Sequence, residues 1–151
     1  MSRPALPPLV AWLGYGGLLP FAVAALGTLL DPTHRVFWQQ ALLGYGAVIL
    51  SFVGALHWAF AMREDEAAAG PLYLWSVVPA LAGWVALLLP LLLAHGAVLG
   101  AVLLIGAFGA HYGQDRRLVR RLPLPPWYLR LRLHLSTGAS LCLAAIPFSG
   151  G

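Results

Sequence analysis

Five histidines, at positions 34, 57, 95, 111 and 134, stand in a chain of which only 9% is charged. Imidazole exchanges protons near neutral pH and ligates metals, so each one is a chemical candidate. His34 and His95 fall where the chain turns, and they read as interfacial. His57, His111 and His134 fall deeper and share a level with other polar and aromatic groups. Trp58 follows His57, and Trp75 and Ser76 open a later segment. Asp115 follows His111, and Tyr128, Arg130, Arg132 and His134 alternate along one stretch. Together they suggest a cytoplasm-facing pocket. In it His57 handles a proton or hydrogen bond, Trp58 and Trp75 form flat walls, and an arginine grips an anionic or carbonyl oxygen. Asp115 would pair with an arginine. On a helix Arg130 shares a face with His134, and Tyr128 shares one with Arg132 and Ser136. At 3.6 residues per turn the two arginines point roughly 160° apart, so one of them faces inward. The sequence leaves open which.

Other chemistries find less support. Bis-histidine haem ligation needs two imidazoles at matching depth, and His57 with His134 meets that only crudely. No CxxCH or HExxH occurs, so no metal site is assigned. Nothing resembles a nucleophile elbow, and the chain is not read as an enzyme. The single cysteine, Cys142, lies in an apolar run and reads as a small buried hydrophobe. The net charge of +4 comes from nine arginines confined to loops and helix ends, which argues for membrane orientation and against nucleic acid.

The elements that must carry these residues are membrane spans. Hydrophobic residues make up 60% of the chain, and a soluble fold of this size could not cover that much apolar surface. A span needs about 20 apolar residues, which gives five helices at about residues 9–30, 37–62, 72–93, 96–112 and 127–148. Asp31-Pro32 ends the first helix and Arg63-Glu64-Asp65-Glu66 ends the second. Residues 72–112 contain no Asp, Glu, Lys or Arg; as one helix they would run about 60 Å, so they must fold back, near Pro90–Gly96. The apolar run beyond Ala22-Val23-Ala24 argues that the first segment is retained and not cleaved as a leader. Arg3, Arg63, Arg116, Arg117, Arg120, Arg121, Arg130 and Arg132 fall on one side and Arg35 alone on the other. That asymmetry predicts a cytoplasmic N-terminus and a periplasmic C-terminus in a bacterial inner membrane.

Small residues predict how the spans meet. Gly44, Ala47, Ser51, Gly54, Trp58 and Ala61 form one stripe, and Ser76, Pro79, Ala80 and Gly83 form another. Gly96 with Gly100, and Gly109 with Gly113, are two GxxxG pairs. The expectation is one compact five-helix bundle over residues 1–151, contacting lipid, and also other membrane subunits or a second copy through its glycine-rich faces. Pro79 removes an N–H, so the carbonyl of Trp75 loses its helix partner.

Four stretches carry a family resemblance. They are Leu13–Phe21, Gly44–Trp58 with its Gly-x-x-His-Trp, Trp75–Leu81, and Trp127–Leu133 with its Trp-Tyr-Leu-Arg-Leu-Arg. They resemble the uncharacterised family catalogued as domain of unknown function 3429, in order and over nearly the whole chain. The resemblance implies a small multi-pass protein of bacterial inner membranes and mitochondria, and brings no activity with it. It favours His57, Trp58, Ser76, Pro79, Tyr128, Arg130 and Arg132 as site residues. The five-helix, tryptophan-bearing layout is also similar to the porphyrin-binding tryptophan-rich sensory, or translocator, proteins, in architecture alone. The functional expectation is a pocket for a quinone, porphyrin or lipid headgroup. An accessory subunit of a larger respiratory-type complex is the alternative. A transporter ranks third, because no Asp or Glu falls within a predicted helix.

Overall fold

The computed structural model describes residues 5–149, so Arg3 lies outside the described residues. Within that range every regular element is helical: α1 (Pro8–Gly16), α2 (Leu19–Leu30), α3 (Arg35–Ala61), α4 (Glu66–Leu92), α5 (Gly96–Val119), α6 (Pro126–Leu143) and α7 (Ala145–Phe148). Five stretches are long and apolar enough to cross a membrane, with α1–α2 and α6–α7 each counting as one.

Prolines set the breaks. The first span is not the unbroken helix that the sequence suggested. Pro20 offers no N–H to the Gly16 carbonyl, and the chain tightens there, with the Leu18 N–H reaching Tyr15 O at 3.0 Å. The Tyr45 hydroxyl donates to Gly17 O at 2.9 Å and supplies a partner at the break. Pro147 leaves the Leu143 carbonyl short in the same way, between α6 and α7. Two helices also outrun the apolar windows that announced them. α4 starts at Glu66, whose charge suits a helix N-terminus. α5 continues to Val119, with Arg116 and Arg117 in its last turn, where cations suit the dipole.

The 31–34 turn between α2 and α3 is held by a carboxylate. Asp31 Oδ2 accepts from Trp38 Nε1 at 3.1 Å and bonds His34 Nδ1 at 2.9 Å. The Trp38 bond first, then the His34 bond, holds the Asp31 carboxyl below the ordinary carboxylate range.

Small residues do bring helices together, though not everywhere expected. At Gly54 an added Cβ would lie 2.9 Å from the Pro79 ring, and at Gly83 it would lie 3.1 Å from Ala47 Cβ. This is the α3–α4 seam, and it uses Ala47 and Gly54 of the predicted stripe. At Gly100 an added Cβ would meet Ala86 O at 2.6 Å, which seats the α4–α5 hairpin. By contrast, an added Cβ at Gly44, Gly109 or Gly113 would have nothing within 4 Å, so the second GxxxG pair meets no neighbouring helix among the described residues. α3 lies at the centre, against α2, α4, α5 and α6. Phe21, Leu42, Leu43, Leu50, Leu104, Leu143 and Ile146 fill the interior. The outer faces stay apolar, with Trp12, Leu30, Leu74, Leu91 and Phe148 among the exposed side chains, as lipid contact requires.

Candidate functional site

α3, α5 and α6 bring a polar cluster into the interior. Asp115 is fully buried, and His57 and His111 are each 1% exposed. Arg132 donates from Nε to Asp115 Oδ2 at 2.8 Å. The Tyr128 hydroxyl donates to Oδ1 at 3.2 Å. Tyr128 and Arg132 are four residues apart on α6, so both reach the same carboxylate. His57 Nε2 and His111 Nε2 stand 3.8 Å and 3.9 Å from Oδ1. The two imidazole rings meet edge to face with centroids 4.7 Å apart. Trp75 of α4 donates from Nε1 to His111 Nδ1 at 3.0 Å, and the two rings lie edge to edge, 14° from parallel with centroids 6.3 Å apart.

An isolated carboxylate at this depth would be costly, and the Arg132 guanidinium and Tyr128 hydroxyl are what make it tolerable. The compensation is incomplete. Both ring nitrogens of His57, Nε2 of His111 and Nη2 of Arg132 are buried without a hydrogen-bond partner. Native interiors pair nearly all such groups, so four orphans in one cluster single it out as the candidate site.

Two clefts reach the cluster. One, about 360 Å³, is lined by His57, Leu72, Trp75, Val78, Gln114, Arg117 and Arg121, among others. The other, about 380 Å³, lies between α1–α2, α3 and α6. Its walls are Leu13, Gly14, Phe21, Phe52, Leu56 and Leu135 with further apolar residues, and among the described residues Trp127, Tyr128 and Arg132 supply its polar side-chain groups.

The predicted site residues divide accordingly. His57, Trp75, Tyr128, Arg132 and Asp115 come together. Arg132 is the inward arginine, and Arg130 is exposed. Trp58 is 51% exposed and packs edge-on against Tyr73, away from the cluster. The Ser76 hydroxyl is satisfied by Tyr73 O at 2.6 Å. His134 is exposed and shares a 2.9 Å hydrogen bond with Tyr15, so it is no partner for the buried His57. The neighbour of His57 is His111, which the sequence puts at the same level but does not pair with it. Asp115 lies inside α5 and not beyond it, which removes the ground on which transport ranked last. The i, i+4 spacing of His111 and Asp115 was the available signal: it places both on one face once the helix is allowed to continue.

The comparisons with known proteins agree with the membrane architecture. The family model described as "Protein of unknown function (DUF3429)" matches residues 6–147. Transmembrane protein 69 of Xenopus tropicalis is 34% identical over 144 residues, covering 91% of this chain and 53% of that protein. The chain therefore spans about half the length of this curated relative. No solved structure matches. A match over nearly the full chain, with the His57-Trp58 and Trp127–Arg132 segments inside it, places this multi-pass membrane protein in the DUF3429 family of proteins of unknown function.

Proposed function

We propose that this protein binds a lipophilic molecule carrying a carbonyl or anionic oxygen, in the apolar cleft between α1–α2, α3 and α6. The observation that carries the reading is Arg132. It is a buried guanidinium with one nitrogen already on Asp115, another unpartnered, and an otherwise apolar cleft alongside. An oxygen acceptor from the cleft would satisfy Nη2, and the apolar walls would take a ring or chain. At about 380 Å³ the cleft is near the low end of small-molecule sites, which run from about 300 to 1,000 Å³. That size favours a quinone-type head or one acyl chain over a tetrapyrrole. The arginine asymmetry supports a bacterial inner membrane with the α3–α4 and α5–α6 loops in the cytoplasm.

The test is extraction. Protein purified from its membrane into lipid nanodiscs should retain a lipophilic compound, read by mass spectrometry of the solvent extract. Gly14 lines this cleft, and a Cβ there would stand 3.4 Å from both Leu131 and Leu135. Gly14→Leu should fill the cleft and lose the compound while leaving the polar cluster intact. Equal retention by wild type and Gly14→Leu would sink the proposal.

A second reading rests on α5. Gly106, Gly109 and Gly113 follow at steps of three and four residues, are exposed, and would leave an added Cβ in open space. A face of this kind suits close approach by another helix, from a second copy or an accessory partner. A cysteine cross-link at Gly109 that forms in native membranes would support it, and an unlinked monomer would count against it.

A further inference from the structure

Three buried side chains converge with no hydrogen bond among them. His57 Nε2 and His111 Nε2 lie 3.8 Å and 3.9 Å from Asp115 Oδ1, and one ligand atom from each of the three residues lies within 4.8 Å of the others. These separations are too long for hydrogen bonds. Both His57 nitrogens and His111 Nε2 are otherwise without partners. We propose that His57, His111 and Asp115 bind one divalent transition-metal ion of the zinc, cobalt(II) or iron(II) class.

The geometry is close to that of a ligand shell. A point equidistant from three atoms with these spacings lies about 2.5 Å from each, against metal–nitrogen bonds of about 2.0–2.1 Å. Inward movement by about half an ångström per side chain closes the difference. Two imidazoles and one carboxylate suit a borderline ion, whereas calcium and magnesium take all-oxygen shells. Asp115 is already oriented by Arg132 and Tyr128, as outer-shell partners orient metal-binding carboxylates. Three protein ligands leave a fourth position open. The Asp115 carboxylate supplies one negative charge against the ion and Arg132, so that position favours hydroxide or an anionic ligand. His57 lines the cleft that also holds Arg117 and Arg121, which offers an anion a route in.

Trp75 sets a condition. A neutral His111 whose Nδ1 accepts from the indole carries its own proton on Nε2, the nitrogen aimed at Asp115. Coordination through Nε2 moves that proton to Nδ1, and the Trp75 N–H must then turn away. Trp75 lines the same cleft, so its indole has space on that side. Metal uptake therefore breaks the Trp75–His111 bond.

The experiment titrates cobalt(II) into full-length, chelator-stripped protein in mild detergent. The expected result is one equivalent bound, with a visible d–d absorption band. His57→Ala should weaken binding by about 100-fold or more. His57→Cys retains a donor, so it should keep the ion and add a thiolate-to-cobalt charge-transfer band in the near ultraviolet. That band would separate loss of a ligand from loss of fold. Trp75→Phe removes the opposing donor and should tighten binding by about fivefold. Folded wild-type protein without a d–d band would overturn the proposal and leave the three groups to be bridged by water. A band unchanged in His57→Ala and His57→Cys would overturn it too, since the ion would then sit elsewhere. Weaker binding by Trp75→Phe would overturn the coupling to the indole.

Discussion

Replacing Arg132 by Gln strands the Asp115 carboxylate. Asp115 is fully buried, and Arg132 Nε at 2.8 Å is the group that neutralises it. With charge centres about 4 Å apart, their attraction is about 4 kcal/mol at an effective dielectric of 20. Breaking a buried pair from one side costs about 3–5 kcal/mol, because the remaining charge stays uncompensated. We expect about that loss for Arg132→Gln and a similar loss for Asp115→Asn. The double variant should recover much of it: neither group is then charged, and two amides can share a hydrogen bond. A coupling of about 2–3 kcal/mol between the two sites is the expected signature. Steric trapping in bicelles gives the free energies directly. If each single change costs less than about 1 kcal/mol, or if the two losses simply add, then Arg132 does not hold Asp115 as the geometry states. The binding reading built on its spare nitrogen would weaken with it.

Two further outcomes follow from the packing and the 31–34 turn. Gly54→Ala presses a methyl against Pro79 and should destabilise by about 1–3 kcal/mol, whereas Gly109→Ala meets open space and should stay within about 0.5 kcal/mol in the same assay. The Asp31 carboxyl is held below its usual range, so the stability it lends is present above the unfolded carboxylate range and is lost as pH falls through the lower folded value. The Trp38 indole N–H resonance should therefore keep its hydrogen-bonded shift through mildly acidic pH and move only below the ordinary carboxylate range. If the resonance moves within that range, or moves identically in Asp31→Asn, the Trp38 bond is not what lowers Asp31.

How much of this was legible beforehand differs from residue to residue. The five spans and the hairpin between Leu92 and Gly96 were readable, because apolar length and the absence of charge are properties of the chain itself. The ends were less so. Hydropathy alone puts Asp115 outside a helix, because an apolar window stops at polar residues, while backbone hydrogen bonding does not. Gly54, in a small-residue stripe, and Gly109, in a GxxxG pair, both read as packing positions, yet among the described residues Gly54 alone of the two meets a neighbouring helix.

The sequence by itself determined that this chain lives in a membrane and that its polar chemistry concentrates around His57, Asp115 and the start of α6. Those are consequences of composition and helical periodicity, which are local. Only the tertiary structure decided that Arg132 and not Arg130 turns inward, that His111 and not His134 stands beside His57, and that Asp115 joins them. Each of these depends on how α3, α5 and α6 are rotated about their own axes. That rotation is fixed by packing at places such as Gly54 against Pro79 and Gly100 against Ala86, between residues far apart in the chain.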